Sequence, residues 1–254
     1  MIEFAGKKDS ESIVALWQEA FGDSREWVLM YLGENIDNVL VYRENGKVMG
    51  MLSLLPVSYK GKKGFYIYGV ATGEKYRGKG VSSALLGYAK EMVAEKIADF
   101  LVLVPRNQGL FEFYAGRGFF AKHCTRTDVY QRDELENFGC DIVVLRTDAS
   151  GYFDIRKKHC ENLVEWDRDM LASIRKFENG EFFASGSGEG AFCYAYDGTL
   201  YVKELCGGLE LAAAINRVYN CERIAVTRKS EAEMPSCMVY PDFSRDLFFN
   251  ISID

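Results

Sequence analysis

Histidine and long apolar runs are scarce in this sequence. Only His123 and His159 carry an imidazole, and neither belongs to a metal-binding spacing pattern. No apolar run approaches the roughly 18 residues that a membrane span needs, and the opening MIEFAGKKDSES turns polar too soon for a signal peptide. We therefore expect no metal, no histidine-centred catalytic triad, no membrane partner and a cytoplasmic location.

A surplus of positive charge is also missing. The chain has 31 lysines and arginines against 37 aspartates and glutamates, a net charge of −6, which argues against a nucleic acid as partner. Its seven cysteines are odd in number, widely spaced and without a Cys-x-x-Cys pair, so neither a disulfide framework nor a zinc site is expected. We interpret them as reduced thiols, most of them buried.

Local patterns predict two helices and a hairpin early in the chain. Apolar residues from Ile13 to Phe21 recur at helical spacing and are followed by Gly22, which can end the helix, while Ser24 can cap a second one. The turn Glu44-Asn45-Gly46 is a hairpin signal. Strands are predicted from β-branched and apolar residues at 39–42, 48–55 and 65–71.

An amphipathic helix follows the third strand. From Val81 to Val93 its apolar residues form a single stripe at helical spacing, which must lie on a sheet. A continuously apolar strand at 100–104, a short helix at 107–115 and a strand that begins at Phe119 come next. Together these elements make a mixed α/β unit.

The second half repeats this order more faintly. The polar segment 132–139 ends in glycine and is the predicted linker. Further elements are predicted as a helix at 163–177, a hairpin of strands 191–196 and 199–205, a helix at 209–219 and a strand at 223–227. We therefore predict an α/β fold of mixed sheets in two related domains, 1–131 and 140–254.

The segment that most clearly indicates a binding site is Arg77-Gly78-Lys79-Gly80-Val81-Ser82, at the turn between a predicted strand and a predicted helix. Such a turn directs backbone N–H groups and the positive end of the helix dipole at one point, which suits an anion. Glycines let the backbone approach phosphate oxygens and adopt positive φ angles. In the second half the corresponding turn, Cys206-Gly207-Gly208, lacks basic residues, so we do not expect that half to bind the same ligand.

Two other phosphate motifs are excluded. Residues 73–79 fit Gly-x-x-x-x-Gly-Lys, but Gly80 stands where a Ser or Thr would hold magnesium, which disfavours a nucleotide triphosphatase. The dinucleotide fingerprint requires a glycine where this sequence has Ser83, and it requires a βαβ unit where a hairpin is predicted.

These residues resemble the GNAT superfamily of acyl-coenzyme A-dependent N-acetyltransferases. The hallmark of that family is Arg/Gln-x-x-Gly-x-Gly/Ala at a strand-to-helix junction, matched here by Lys75 to Gly80 with lysine in place of the first arginine. The later Phe113-Tyr114-x-x-x-Gly118-Phe119 also arrives in the family's order. The resemblance covers residues 1–131 and implies a GNAT-like fold, with a degenerate second GNAT-like domain in the remainder.

The resemblance implies that acetyl-coenzyme A is the acyl donor. Its pantetheine arm would pair with the strand edge near Val70 to Thr72, and its pyrophosphate would lie against the glycine turn. The implied cofactor-binding residues are Val70, Ala71, Thr72, Lys75, Arg77, Gly78, Lys79, Gly80, Val81, Ser82 and Asn107.

Tyr114 matches the family's usual general acid. A phenol can donate a hydrogen bond to a departing thiolate without adding charge to an apolar cleft. No general base presents itself, so a water chain, a backbone carbonyl or a remote carboxylate would have to accept the proton of the amine. Tyr66 and Tyr68 either line the acceptor pocket or pack across strands.

The resulting hypothesis is an enzyme that transfers an acetyl group to a primary amine by direct attack in a ternary complex. The second half would shape the channel for the acceptor, which can be a peptide, an aminoglycoside, a polyamine or an amino acid. The alternative is a non-catalytic acyl-coenzyme A sensor. The sequence leaves the oligomeric state open.

Overall fold

A computed structural model describes residues 1–138, 140–159, 162–230, 235–244, 247–249, 251 and 253, without the side chains of residues 123 and 124. Cys160 and the glycine at the end of the predicted linker lie outside the described residues, as do the side chains of His123 and Cys124. The cysteines described are all free thiols, and each of them is buried except Cys140. In this part of the chain no helix combines the length and apolar character needed to cross a membrane.

The helices and strands follow one another in a regular order. The first part contains β1 (Ile2–Phe4), α1 (Ser10–Phe21), α2 (Arg25–Asn35), β2 (Val39–Glu44), β3 (Lys47–Tyr59), β4 (Lys62–Thr72), α3 (Val81–Ala94), β5 (Phe100–Leu103) and α4 (Gln108–Ala115). The rest contains β6 (Phe120–Gln131), β7 (Val144–Thr147), α5 (Ala149–His159), α6 (Arg168–Phe177), β8 (Glu181–Ser185), β9 (Gly190–Tyr196), β10 (Thr199–Cys206), α7 (Leu209–Tyr219), β11 (Arg223–Ser230) and β12 (Pro235–Tyr240).

These elements form two compact units that do not follow chain order. Unit 1 consists of residues 1–121 and 237–244, and unit 2 of residues 122–236 and 245–254. The segment 132–139 contains a short 3-10 turn, Asp133–Leu135, whose Leu135 is buried in the core of unit 2. The domain borders at 131 and 140 stay a prediction.

Unit 1 has six strands in the order β1-β2-β3-β4-β5-β12, of which β4 and β5 run parallel. Their pairing covers only Gly64–Ile67 and Phe100–Leu103, whereas β4 continues to Thr72. Within the described residues, the last part of β4 is therefore paired with β3 alone, and its other edge is open.

A bulge lies in the same stretch of β4. The register against β3 shifts between the pairs Met51–Ala71 and Ser53–Tyr68, and Gly69 within it has φ +59°. A Cβ on Gly69 would lie 2.9 Å from the Trp17 ring, so a side chain is excluded by space as well as by conformation. α1 thereby packs closely on this face of the sheet.

The apolar stripe of α3 packs on the opposite face, as its spacing predicts. Val81, Leu85 and Ala89 are buried there with apolar residues of β2 to β5. Both early caps are also as predicted: Gly22 ends α1 with φ +80°, and the Ser24 side chain accepts a hydrogen bond from the Trp27 amide at 3.2 Å.

Unit 2 has the corresponding strand order, β7-β8-β9-β10-β11-β6, with β10 and β11 parallel, but its sixth strand precedes the other five in the chain. β10 carries a register shift between Val202 and Glu204, close to its end, much as β4 does. A buried ion pair lies beside it: Arg156 Nε donates to Glu204 Oε1 at 2.7 Å, and the Tyr152 hydroxyl donates to the same oxygen at 2.8 Å.

The helix predicted at 163–177 is shorter than expected. α6 begins at Arg168 because the Asp167 side chain caps it, accepting from the Met170 amide at 2.8 Å. Leu163 instead bridges to Phe248, and Trp166 Nε1 donates to the Ile251 carbonyl at 2.9 Å. Their apolar character reflects burial in unit 2 and not helical periodicity.

Candidate functional site

Unit 1 contains a cleft of about 390 Å³ where β4 ends and α3 begins, with one wall supplied by α4 and the turn after it. The residues that line it are Thr72, Tyr76, Arg77, Gly78, Gly80, Val81, Ser82, Ser83, Phe113 and Arg117. Most come from the loop and first helical turn that the sequence singled out.

The glycine loop presents open backbone to this cleft. Gly78 and Gly80 have φ +74° and +80°, and a Cβ on either would meet no atom within 4 Å. Space does not require these glycines, but conformation does, because other residues rarely adopt positive φ. The bare backbone lets a ligand approach closely.

The amino end of α3 supplies hydrogen-bond donors. Its first backbone bond runs from the Ala84 amide to the Gly80 carbonyl at 2.9 Å. The amides of Val81, Ser82 and Ser83 precede that bond and have no acceptor within the helix. Together with the helix dipole they are suited to an anionic ligand.

Side chains fix the loop against the strand. Thr72 Oγ1 and Ser82 Oγ are 2.6 Å apart, and Arg77 Nε donates to the Thr72 carbonyl at 3.3 Å. The first contact ties the end of β4 to the start of α3, and the second ties the loop to β4. Arg77 is thereby held at the cleft. Among the described residues, no carboxylate forms an ion pair with its guanidinium.

Not every residue implied by the family resemblance reaches the cleft. Lys79 lies over the Tyr76 ring at 5.6 Å, and Lys75 belongs to the 3-10 turn Glu74–Tyr76. Asn107 caps α4, with its Oδ1 accepting from the Leu110 amide at 3.0 Å. Val70 and Ala71 lie on β4 beyond its pairing with β5. Cofactor binding by all eleven implied residues, whether or not they line the cleft, stays a prediction.

Four cleft residues were not predicted as site residues: Tyr76, Ser83, Phe113 and Arg117. Tyr76 entered only as a variable position of the family pattern, Ser83 only as a mismatch to the dinucleotide fingerprint, and Phe113 and Arg117 lie in a motif noted for Tyr114. Phe113 and Arg117 are four residues apart at the end of a helix, so their shared side could have been derived from helical spacing.

Tyr114 is buried, with 7% of its surface exposed, and is packed in the apolar core. Its ring lies 5.2 Å from Phe113 and 5.9 Å from Phe119. Burial raises the pKa of its hydroxyl to about 12, against a smaller opposing effect of the Arg117 charge. The phenol therefore keeps its proton at neutral pH, although Tyr114 does not line the described cleft.

Tyr66 and Tyr68 are stacked on one another with ring centroids 5.8 Å apart. Tyr68 also packs against Trp17 at 5.6 Å and Tyr31 at 5.7 Å. Cross-strand packing is thus present, and a role in acceptor binding stays a prediction. Among the described residues no cluster of three or more His, Cys, Asp or Glu side chains could hold a metal ion.

In this mixed sheet the central strand β4 continues beyond the end of β5, beside a glycine loop and a helix start, an arrangement that suits an anionic ligand. Residues 2–121 match the model of the family described as "Acetyltransferase (GNAT) domain". This segment, just under half of the chain, matches the GNAT acetyltransferase family, so the resemblance stated from the sequence is confirmed for it. No curated protein matches the chain significantly.

Solved structures extend the likeness over both units. A GCN5-related N-acetyltransferase from Kribbella flavida has a TM-score of 0.73 and 15% identity, over 94% of this chain and 70% of that one. One from Anabaena variabilis has a TM-score of 0.74 and 13% identity, over 94% and 72%. A putative acetyltransferase from Pyrococcus horikoshii has a TM-score of 0.62 and 16% identity, over 99% and 93%. At these identities the comparison shows the fold, which is GNAT-like along the chain.

Proposed function

We propose that this protein is an N-acetyltransferase that moves an acetyl group from acetyl-coenzyme A to a primary amine by direct attack in a ternary complex. The observation that carries the proposal is the cleft itself: a glycine loop with open backbone, three helix-start amides and Arg77 converge on one anion site. The acceptor is a small molecule or peptide bearing an amine, and the location is cytoplasmic.

The residues of the cleft fit this coenzyme. The amides of Val81 to Ser83, the backbone of Gly78 and Gly80 and the Arg77 guanidinium would hold its pyrophosphate. The open edge of β4 from Val70 to Thr72 would hydrogen-bond to the amides of its pantetheine arm. When bound, the coenzyme supplies a thioester, and the protein holds that group in place.

Proton transfer would rest on Tyr114 and on an acceptor of the amine proton. Because burial raises the Tyr114 pKa to about 12, the phenol remains a donor and can give its proton to the leaving sulfur atom. An amine with a protonated pKa near 10 must first lose a proton. A water chain, a backbone carbonyl or a remote carboxylate would take it.

The first test is calorimetric titration of the protein with acetyl-coenzyme A. Gly80→Glu places a side chain and a negative charge in the anion site, so binding should be lost. Gly61→Glu is the matched control, because Gly61 has a similar φ of +78° and open space but lies in the turn between β3 and β4, at the other end of β4. Equal loss in both variants, or no binding by the folded wild type, would contradict the proposed site.

One observation favours the alternative, a non-catalytic acyl-coenzyme A sensor: Tyr114 packs in the core and does not line the described cleft. Tyr114→Phe separates the two functions. An acid role predicts that turnover slows by about 100-fold, the low end of general acid–base effects, while coenzyme affinity stays unchanged. A sensor predicts coenzyme binding by the wild type with no amine-dependent release of thiol.

A further inference from the structure

Arg117 lies directly after α4 and is held rigidly against it. Its guanidinium lies 3.5 Å from the centre of the Phe113 ring, and its Nη1 donates to the Phe113 carbonyl at 2.7 Å. Lys90 Nζ donates to the Arg117 carbonyl at 3.0 Å, which fixes the backbone as well. An arginine side chain loses rotamer entropy when it binds a ligand, and the contacts of Arg117 lower that cost because they already restrict its side chain.

The same guanidinium reaches the first turn of α3. Arg117 Nε and Nη2 both donate to Ser83 Oγ, at 3.1 and 2.7 Å. The positive charge therefore lies beside the amino end of the helix, where it adds to the field of the dipole. Ser83 of α3 and Arg117 after α4 both line the cleft, and so does Arg77, which lies near the end of β4.

The partners of Arg117 leave its charge available. All three hydrogen bonds go to neutral oxygens, and among the described residues no carboxylate forms an ion pair with it. By contrast, Arg43 and Arg156 each bind carboxylates. A guanidinium has five N–H donors, so after three bonds two donors remain for an anion.

We infer that Arg117 is a second phosphate-binding residue of this cleft, with Ser83 as the residue that positions it. The inference rests on the proposed coenzyme A site. Coenzyme A carries a pyrophosphate and a separate phosphate on its ribose, so a cleft lined by two arginines suits a ligand with more than one phosphate group. Guanidinium groups bind phosphate oxygens in pairs, which favours Arg117 over a solvated surface role.

The experiment is calorimetric titration of wild type, Arg117→Gln and Arg117→Lys with acetyl-coenzyme A and with its dephospho form, which lacks the ribose phosphate. Arg117→Gln should weaken acetyl-coenzyme A binding by about 10- to 100-fold, the range of a charge-assisted hydrogen bond. Arg117→Lys keeps the charge without the paired geometry, so its loss should be smaller. Arg25→Gln, at an exposed ion pair with Glu11, is the control and should bind like wild type.

The two ligands identify the phosphate involved. If the loss disappears with the dephospho form, Arg117 binds the ribose phosphate; if it persists, Arg117 binds the pyrophosphate, and either result supports the inference. Equal affinities of wild type and folded Arg117→Gln for both ligands would overturn it. Wild-type protein that binds neither ligand would overturn the coenzyme site itself, and the inference with it.

A purely structural contact between α4 and α3 predicts a different pattern. It would alter affinity without altering the dependence on ionic strength, whereas a lost charge–phosphate contact makes binding less sensitive to salt. Ser83→Ala offers a second route if Arg117→Gln does not fold. It removes two hydrogen bonds but no charge, so we expect a loss of less than about 10-fold that grows no larger at high salt; an unchanged affinity would count against the positioning role.

Discussion

The two units share a strand order and differ in the segment that joins the fourth strand to its helix. In unit 1 residues 73–80 separate β4 from α3, and they carry two positive-φ glycines, Arg77 and Lys79. In unit 2 only Gly207 and Gly208 separate β10 from α7. The same strand order therefore presents a helix start in both units, and the connecting loop decides what that start can bind.

Charge at the helix start reinforces the difference. A Cβ on Gly207 would lie 2.9 Å from Glu189 Oε1, and one on Gly208 would contact the Glu210 carboxylate. Carboxylates thus lie where an anionic ligand would approach α7, while arginines line the corresponding place in unit 1. A helix start attracts anions only when the surrounding side chains leave it accessible and positive.

The largest expected effect is on stability, and it compares the loss of an arginine in unit 2, Arg156, with the loss of one in unit 1, Arg117. Arg156→Met removes the partner of the buried Glu204 carboxylate, so we expect the free energy of unfolding to fall by about 3–5 kcal/mol. Arg117→Met in unit 1 removes bonds to neutral oxygens at a partly exposed site and should cost about 1 kcal/mol. Urea unfolding of both variants checks this, and equal losses would contradict it.

A smaller effect is expected from alanine substitutions in the two loops that join a strand to a helix, at Gly80 in unit 1 and at Gly208 in unit 2. Gly80 has φ +80° and Gly208 has φ −85°, so Gly80→Ala should cost about 1–2 kcal/mol of stability and weaken acetyl-coenzyme A binding. Gly208→Ala should do neither, because the Glu210 side chain can move aside. Thermal unfolding and titration of the pair provide the measurement; similar behaviour of both would mean that the loops do not differ in the way proposed.

The smallest effect is on the pH dependence of stability, and it compares two glutamates whose pKa values are shifted in opposite directions. Burial raises the pKa of Glu178 in unit 2 to about 7. Its contribution to the free energy of unfolding is therefore fully present below its ordinary pKa of 4.5 and is lost as the pH rises through 7. Glu178→Gln should therefore be more stable than wild type at about pH 8, and the gain should vanish near pH 4.5.

Glu11 in unit 1 serves as the control, because its pKa is shifted in the opposite direction. A hydrogen bond from Arg25 lowers its pKa, so its contribution is present at about pH 8 and disappears on acidification. Glu11→Gln should lose stability at that alkaline pH and match wild type at low pH. Urea unfolding at both pH values gives the comparison, and a gain by both variants under alkaline conditions would refute the assignment for Glu178.

Local signals in the sequence account for much of unit 1. The cap at Ser24, the stop at Gly22 and the apolar stripe of α3 each depend on neighbouring residues, and the glycine loop combined such signals with a family pattern. α5 was missed because it is held by distant partners: Arg156 is buried against Glu204 of β10, and a charged residue gives no local sign of burial.

The contacts across the cleft could not be predicted for a similar reason. Ser83 and Arg117 meet only once α3 and α4 have packed, and nothing in the spacing of their residues encodes that meeting. β12 is a further case, since Val239 pairs with Val102 far along the chain. Long-range strand pairing depends on topology more than on local pattern.

The position of β12 has a consequence for synthesis on the ribosome. Five strands of unit 1 are made within the first 103 residues, but the sixth, Pro235–Tyr240, is translated only after most of unit 2. Until then the apolar edge of β5 has no partner within its own sheet, which exposes the nascent chain to wrong pairings. Tyr240 also lies 4.6 Å from Lys90, which holds the backbone of Arg117. The candidate cleft is therefore among the last features of the molecule to be completed as the polypeptide is made.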